Sequence, residues 1–287
     1  MPKKAPQSKV AEIMPSIDND TWVADESAGP TLTGRLFAEF LGTFILLFMG
    51  IGVSVFVVLL GGRGDTLLTG GLAWGLTYMA LIIVIGRVSG AHFNPAITIG
   101  AWVAGRFPGR DVALYIVAQV VGAIGAGALI VYLAGTTTQI GENSHEVMAF
   151  LSVGYGEHSP SLVALLPAMI VEFLVTGLLV AVVLAATSRR TSRAQAPFAI
   201  GFAFSMLVII AGPLTNAGLN PARATATAIF ASVTDATTGT TDHWALGQLW
   251  QWWIVMLVAG AFVGLLYRGF GPVEDLTNDD VESAIES

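Results

Sequence analysis

The sequence predicts an all-α membrane protein with six transmembrane helices and two re-entrant half-helices, arranged as an inverted repeat. Three observations predict it. Of 287 residues, 54% are hydrophobic and 11% charged, whereas roughly a quarter of a soluble domain is charged. Long apolar runs recur along the chain, each able to cross a hydrocarbon core of roughly 30 Å. Short stretches of the first half return, in the same order, in the second.

Residues 1–33 are polar, with no apolar core or small-residue cleavage site, so a polar cytoplasmic tail and no signal peptide are expected. The spans then fall near 34–61, 68–87, 112–135, 162–187, 196–212 and 248–267. Stretches near 94–105 and 220–231 are apolar but too short to cross. Each follows an Asn-Pro, and proline suits a first helical turn, where its missing N–H costs nothing. Residues 269–287 carry six acids and no base, a solvated acidic tail that contributes to the net charge of −7. There is no cysteine, hence no disulfide.

Lys3, Lys4, Lys9, Arg35, Arg87, Arg106, Arg110, Arg189, Arg190, Arg193 and Arg268 cluster at the N-terminal tail, 87–111, the 188–195 loop and the C-terminal end. Loops 136–161 and 232–247 have no Lys or Arg, and only Arg63 sits on the minority side. Both termini are therefore expected in the cytoplasm. Arg223 belongs to neither cluster, since its segment re-enters from the outer side.

EFLGT at 39–43 returns as EFLVT at 172–176, an offset of 133. FNPA at 93–96 returns as LNPA at 219–222, and WGLTYMALII from Trp74 matches IGFAFSMLVI from Ile200, both at 126. Each half, about 34–135 and 162–268, has three spans, so the second half must lie upside down relative to the first. Such repeats place their functional site near the midplane, at the N-termini of discontinuous helices.

Paired Asn-Pro-Ala motifs at Asn94, Pro95, Ala96 and Asn220, Pro221, Ala222, with Glu39 and Glu172 in spans one and four, resemble the aquaporin (major intrinsic protein) family over about 34–268. VGYGEHSP at 153–160 is similar to text found in bacterial aquaporin Z relatives. The resemblance implies a passive channel, no enzyme and no cofactor, in the cell membrane. It also implies a homotetramer with one pore per subunit. Partners are then water, small neutral solutes and membrane lipid, with no nucleic acid, which the acidic charge and apolar runs also exclude.

Half-helix N-termini present free N–H groups and about half a positive charge each, which repels cations and admits neutral hydrogen-bonding solutes. Asn94 and Asn220 are expected to cap the half-helices, with Asn among the best caps, and to aim their side-chain N–H groups into the lumen. A charged Arg in the bilayer interior faces water or a partner, and the family resemblance gives Arg223 the role of filter donor near the outer mouth. Glu39 and Glu172 read either as relay carboxylates or as acceptors for irregular backbone before each half-helix, and the resemblance favours the second. His92 is placed at the cytoplasmic vestibule, or in packing. His145, His158 and His243 lack metal-ligand spacing, so no metal is expected.

By resemblance, the narrowest ring takes Trp74, Val208, Ala217 and Arg223, counted from the two Asn-Pro-Ala motifs. Strict water channels resemble Phe, His, a small residue and Arg, whereas the set here is similar to that of plant nodulin-like intrinsic proteins. That implies passage of glycerol-sized solutes or neutral metalloid acids, with a strict water channel as the alternative. Ala224, where glycerol facilitators typically have Asp, and Trp252–Trp253 pull toward water. Met256 stands where the usual helix-six proline is expected. An ion-coupled transporter with inverted repeats would need titrating ligands, and the spans offer only Glu39, Glu172 and Arg223.

Overall fold

The computed structural model describes residues 29–59, 66–188, 191–192, 194–234 and 237–271. Most of the tail 1–33, Arg63, Arg189, Arg190, Arg193 and the acidic run after 271 lie outside the described residues. The chain divides into two units, Met1–Thr31 and Leu32–Ser287, and the second holds all the helices that follow.

Its first half runs α1 (Leu32–Gly52), α2 (Thr66–Ser89), the half-helix α3 (Pro95–Val103) and α4 (Gly109–Gly135). A connecting segment carrying the short α5 (Ser144–Phe150) leads to the second half: α6 (Leu165–Ala186), α7 (Ala196–Thr215), the half-helix α8 (Pro221–Phe230) and α9 (Trp244–Phe270). Six of these helices are long and apolar enough to cross a membrane. Between α8 and α9, β1 (Val233–Thr234) pairs antiparallel with β2 (Thr241–Asp242). The sequence reading treats both connecting segments as loops; α5 and this small hairpin are additions, too short for an apolar period to show.

Two span boundaries differ for physical reasons. Span one leaves α-geometry at Gly52 and continues as a wider π-turn, Val53–Leu59; glycines at 50 and 52 and branched Val53 and Val55 hold α-geometry weakly. Span five runs past Gly212 to Thr215, with Pro213 inside its last turn. A proline this close to the end removes little of the helix's bonding, and such prolines are tolerated in membrane helices.

Exposed apolar residues recur every fourth position: Leu166, Ile170, Leu174 and Leu178 on α6, Phe198, Phe202, Met206 and Ile210 on α7, and Leu246, Trp250, Ile254, Val258 and Phe262 on α9. Four-residue spacing lines them along one face of each helix, which can meet hydrocarbon. The opposite faces touch through small residues, the usual device for close approach in membranes. Gly75 and Gly201 face each other across α2 and α7; a Cβ on Gly201 would sit 2.7 Å from the Gly75 carbonyl. Gly264 on α9 likewise admits the Gly100 carbonyl of α3. At one end Arg35 of α1 bonds Asp111 of α4 at 2.9 Å, and Arg106 donates to the Leu184 and Thr187 carbonyls at the end of α6.

Candidate channel site at the meeting of two half-helices

The site is built on two backbone segments with one conformation. Ahead of α3, Gly90, Ala91 and Phe93 have φ of 91°, 54° and 51°; ahead of α8, Asn216, Ala217 and Leu219 have 62°, 54° and 52°. The pairs Gly90/Asn216, Ala91/Ala217 and Phe93/Leu219 are all 126 positions apart, the offset of the repeat. Left-handed geometry costs a residue with a side chain about 1–2 kcal/mol, so surrounding contacts must hold five of these six.

The carboxylates supply those contacts at Phe93 and Leu219. Glu39 accepts from His92 N at 2.9 Å, Phe93 N at 2.7 Å, Ser89 Oγ at 2.7 Å and Gln119 Nε2 at 2.8 Å. Glu172 accepts from Gly218 N at 2.8 Å, Leu219 N at 2.9 Å and the Thr215 hydroxyl. Irregular N–H groups that lipid could not satisfy are thereby paired. The geometry is that of a backbone clamp.

Asn94 and Asn220 cap their half-helices. Each Oδ1 accepts at 2.9 Å from the N–H two residues on, Ala96 or Ala222, with Pro95 and Pro221 in the first turn. Each amide nitrogen donates across the repeat axis: Asn94 Nδ2 to the Leu219 carbonyl at 2.8 Å, Asn220 Nδ2 to the Phe93 carbonyl at 2.9 Å. The sequence reading aims side-chain N–H groups of both at the lumen. One N–H of each amide ties the two half-helix N-termini together through the Leu219 and Phe93 carbonyls.

Arg223 follows in the first turn of α8 and is 7% exposed. Its Nη2 donates to the Asn216 carbonyl at 2.6 Å and the Leu151 carbonyl at 3.3 Å. Its Nε and Nη1 have no protein partner, and no carboxylate pairs with it among the described salt bridges. The guanidinium lies 5.8 Å over the Trp74 ring, within cation–π range. Trp74 in turn meets the edge of Phe204 at 5.7 Å. Ala217 is buried beside Asn216, whose carbonyl holds Arg223. Val208 lies one turn beyond Phe204, away from the exposed Phe202–Met206–Ile210 face, yet is only half-buried.

His92, expected at the vestibule or in packing, lies against Phe107 at 4.9 Å and Tyr115 at 5.5 Å, with Nδ1 3.1 Å from Thr98 Oγ1. Met256 is fully buried, and its methyl fills the space where Gly218, beside Glu172, has no side chain. Trp252 packs against Tyr155, and Trp253 donates from Nε1 to Thr225 of α8 at 2.9 Å. The segment 150–163 braces the second approach: Asn216 Nδ2 donates to the Phe150 and Ser152 carbonyls, and Ser159 Oγ donates to the Leu214 carbonyl.

Sequence reasoning missed Tyr78, Ser89, Gln119 and Thr215. Tyr78 donates its hydroxyl to the Ala91 and His92 carbonyls at 3.0 and 3.1 Å. Their signal was available, since polar groups at membrane depth are rare without a partner. No His, Asp or Glu cluster that could hold a metal occurs among the described residues.

Residues 26–267 match the family model described as "Major intrinsic protein". Aquaporin Z of Photorhabdus laumondii is 40% identical over 234 residues, covering 82% of this chain and 96% of that protein. The X-ray structure of the aquaglyceroporin from Plasmodium falciparum superposes with a TM-score of 0.66 at 22% identity. It covers 88% of this chain and 100% of that one, a likeness of fold. With the two capped half-helices and their shared backbone geometry already described, the match over most of the chain settles the assignment: this chain belongs to the major intrinsic protein family.

Proposed function

We propose that this major intrinsic protein, a passive channel for water and small solutes, has a relaxed filter that also passes uncharged solutes of glycerol size. Trp74, Val208, Ala217 and Arg223 form its narrowest ring. The observation that carries this reading is the Arg223 guanidinium, buried with Nε and Nη1 unclaimed by protein and facing the flat side of Trp74. Such a pair offers donors to hydroxyl oxygens on one side and an apolar wall to carbon on the other. Pore size and lining donors decide selectivity of this kind. The half-helix dipoles and the fixed charge of Arg223 oppose cations. The remaining N–H of Asn94 and of Asn220 orients water at the crossing and interrupts proton relay.

Residues 34–268 form the channel, with polar tails 1–33 and 269–287 in the cytoplasm and the cell membrane as its location. Glu39 and Glu172 serve as structural clamps, and the assembly is a homotetramer. The six-span count and the Lys and Arg distribution support this orientation.

Stopped-flow light scattering on proteoliposomes, comparing water with glycerol for the native chain and Val208→His, tests the proposal. Fast water and glycerol, with glycerol lost in Val208→His, is the expected result. Glycerol at the lipid background in the native channel would overturn the relaxed filter and leave a strict water channel.

A further inference from the structure

Gly50, on α1, is buried against the filter aromatic from behind. A Cβ at this position would overlap Trp74 carbons Cδ2 and Cε2 and lie 2.6 Å from Cε3. The indole is not a flexible tip that can swing aside. Phe204 presents its edge at 5.7 Å, and Phe204 is itself wedged against Tyr78 at 5.5 Å. A ring displaced from Gly50 changes its position relative to the Arg223 guanidinium, 5.8 Å away. A helix-interior glycine is less stable than alanine, so its presence at this contact has a compensating role.

We infer that Gly50 is a positioning residue for the filter: its missing side chain is the recess in which the Trp74 indole lies, and that recess sets how the indole stands beside Arg223 and so the width of the constriction that the two border. The inference rests on Trp74 and Arg223 being walls of the constriction. The same helix uses the device two turns earlier, where a Cβ on Gly42 would overlap the ring of Phe93. Gly52, by contrast, has room: a Cβ there meets only Phe56, at 3.4 Å. It is the natural control.

The test is a double-mutant cycle in proteoliposomes with glycerol and water permeabilities read together. Gly50→Ala should lower glycerol permeability roughly tenfold or more and water by less than about threefold, as a narrowed pore would, while Gly52→Ala should change neither. In a Trp74→Ala background, Gly50→Ala should have no further effect on either solute, because no ring remains to be displaced. An equal loss in both backgrounds, or no loss in the native one, would overturn the inference. Trp74→Ala that leaves glycerol and water permeability unchanged would instead overturn the filter assignment on which it rests. A native channel that passes no glycerol would overturn the relaxed filter, and a water loss in Gly50→Ala that vanishes in the Trp74→Ala background would still uphold Gly50 as a positioning residue, whereas no water loss would overturn it.

Discussion

The two halves of the molecule repeat one backbone but finish it differently. In the first half Glu39 gathers four donors, and Tyr78 caps the Ala91 and His92 carbonyls. In the second, Glu172 has three donors and no glutamine. Phe204 stands where Tyr78 does, 126 positions on, with no hydroxyl to give. Met256 fills with a methyl the space over Gly218, the counterpart of His92. Among the described residues, buried atoms without a partner in the first half are the oxygens Thr43 Oγ1 and Gln119 Oε1, while the second keeps a cation with two unclaimed donors. Hydrogen-bonding capacity satisfied by protein is not available to a solute, so the proposed filter function falls to the second half.

The largest test of this contrast removes the clamps. Glu39→Ala strands four buried donors and Glu172→Ala two, since the Thr215 hydroxyl keeps the Ala211 carbonyl. Each stranded group costs about 1–3 kcal/mol, so both variants should lose several kcal/mol of stability, Glu39→Ala more. Thermal unfolding in detergent, followed by size-exclusion chromatography, measures it; a milder Glu39→Ala would break the ranking.

Arg223→Val tests selection without touching a clamp. Water permeability should hold or rise, while cation leak should increase roughly tenfold or more as the fixed charge at the constriction is lost. A trapped pH-sensitive dye together with an ion-flux assay reads it. An unchanged leak would assign cation exclusion to the half-helix dipoles alone.

Tyr78→Phe gives the first half the residue of the second. Losing one hydroxyl shared by two carbonyls should cost about 1 kcal/mol and leave the solute ratio unchanged. A changed glycerol-to-water ratio would show that the inner half also selects.

The spans, the half-helices, the repeat and the capping asparagines were legible in the sequence because each depends on local physics. Apolar length, proline in a first turn and a fixed offset between echoes need no knowledge of neighbours. Glu39 and Glu172 were legible as candidates because a carboxylate at membrane depth demands a partner. Their donors were not, since Gln119 lies 80 positions from Glu39 and Thr215 lies 43 from Glu172. The destination of the asparagine amides was missed for the same reason: each carbonyl that takes them is 125 or 127 positions away.

By itself, then, the sequence determined that this chain has six helices able to cross a membrane, that its halves are inverted copies, and that two Asn-Pro-Ala segments and Arg223 are candidates for a site between them. Tertiary structure alone decided how the half-helix N-termini are cross-tied, which half keeps the unclaimed donors, and that Gly50 lies behind Trp74. Periodicity and composition report on a helix and its solvent, whereas the contacts that shape a pore form between helices distant in sequence, where a missing side chain counts as much as a present one.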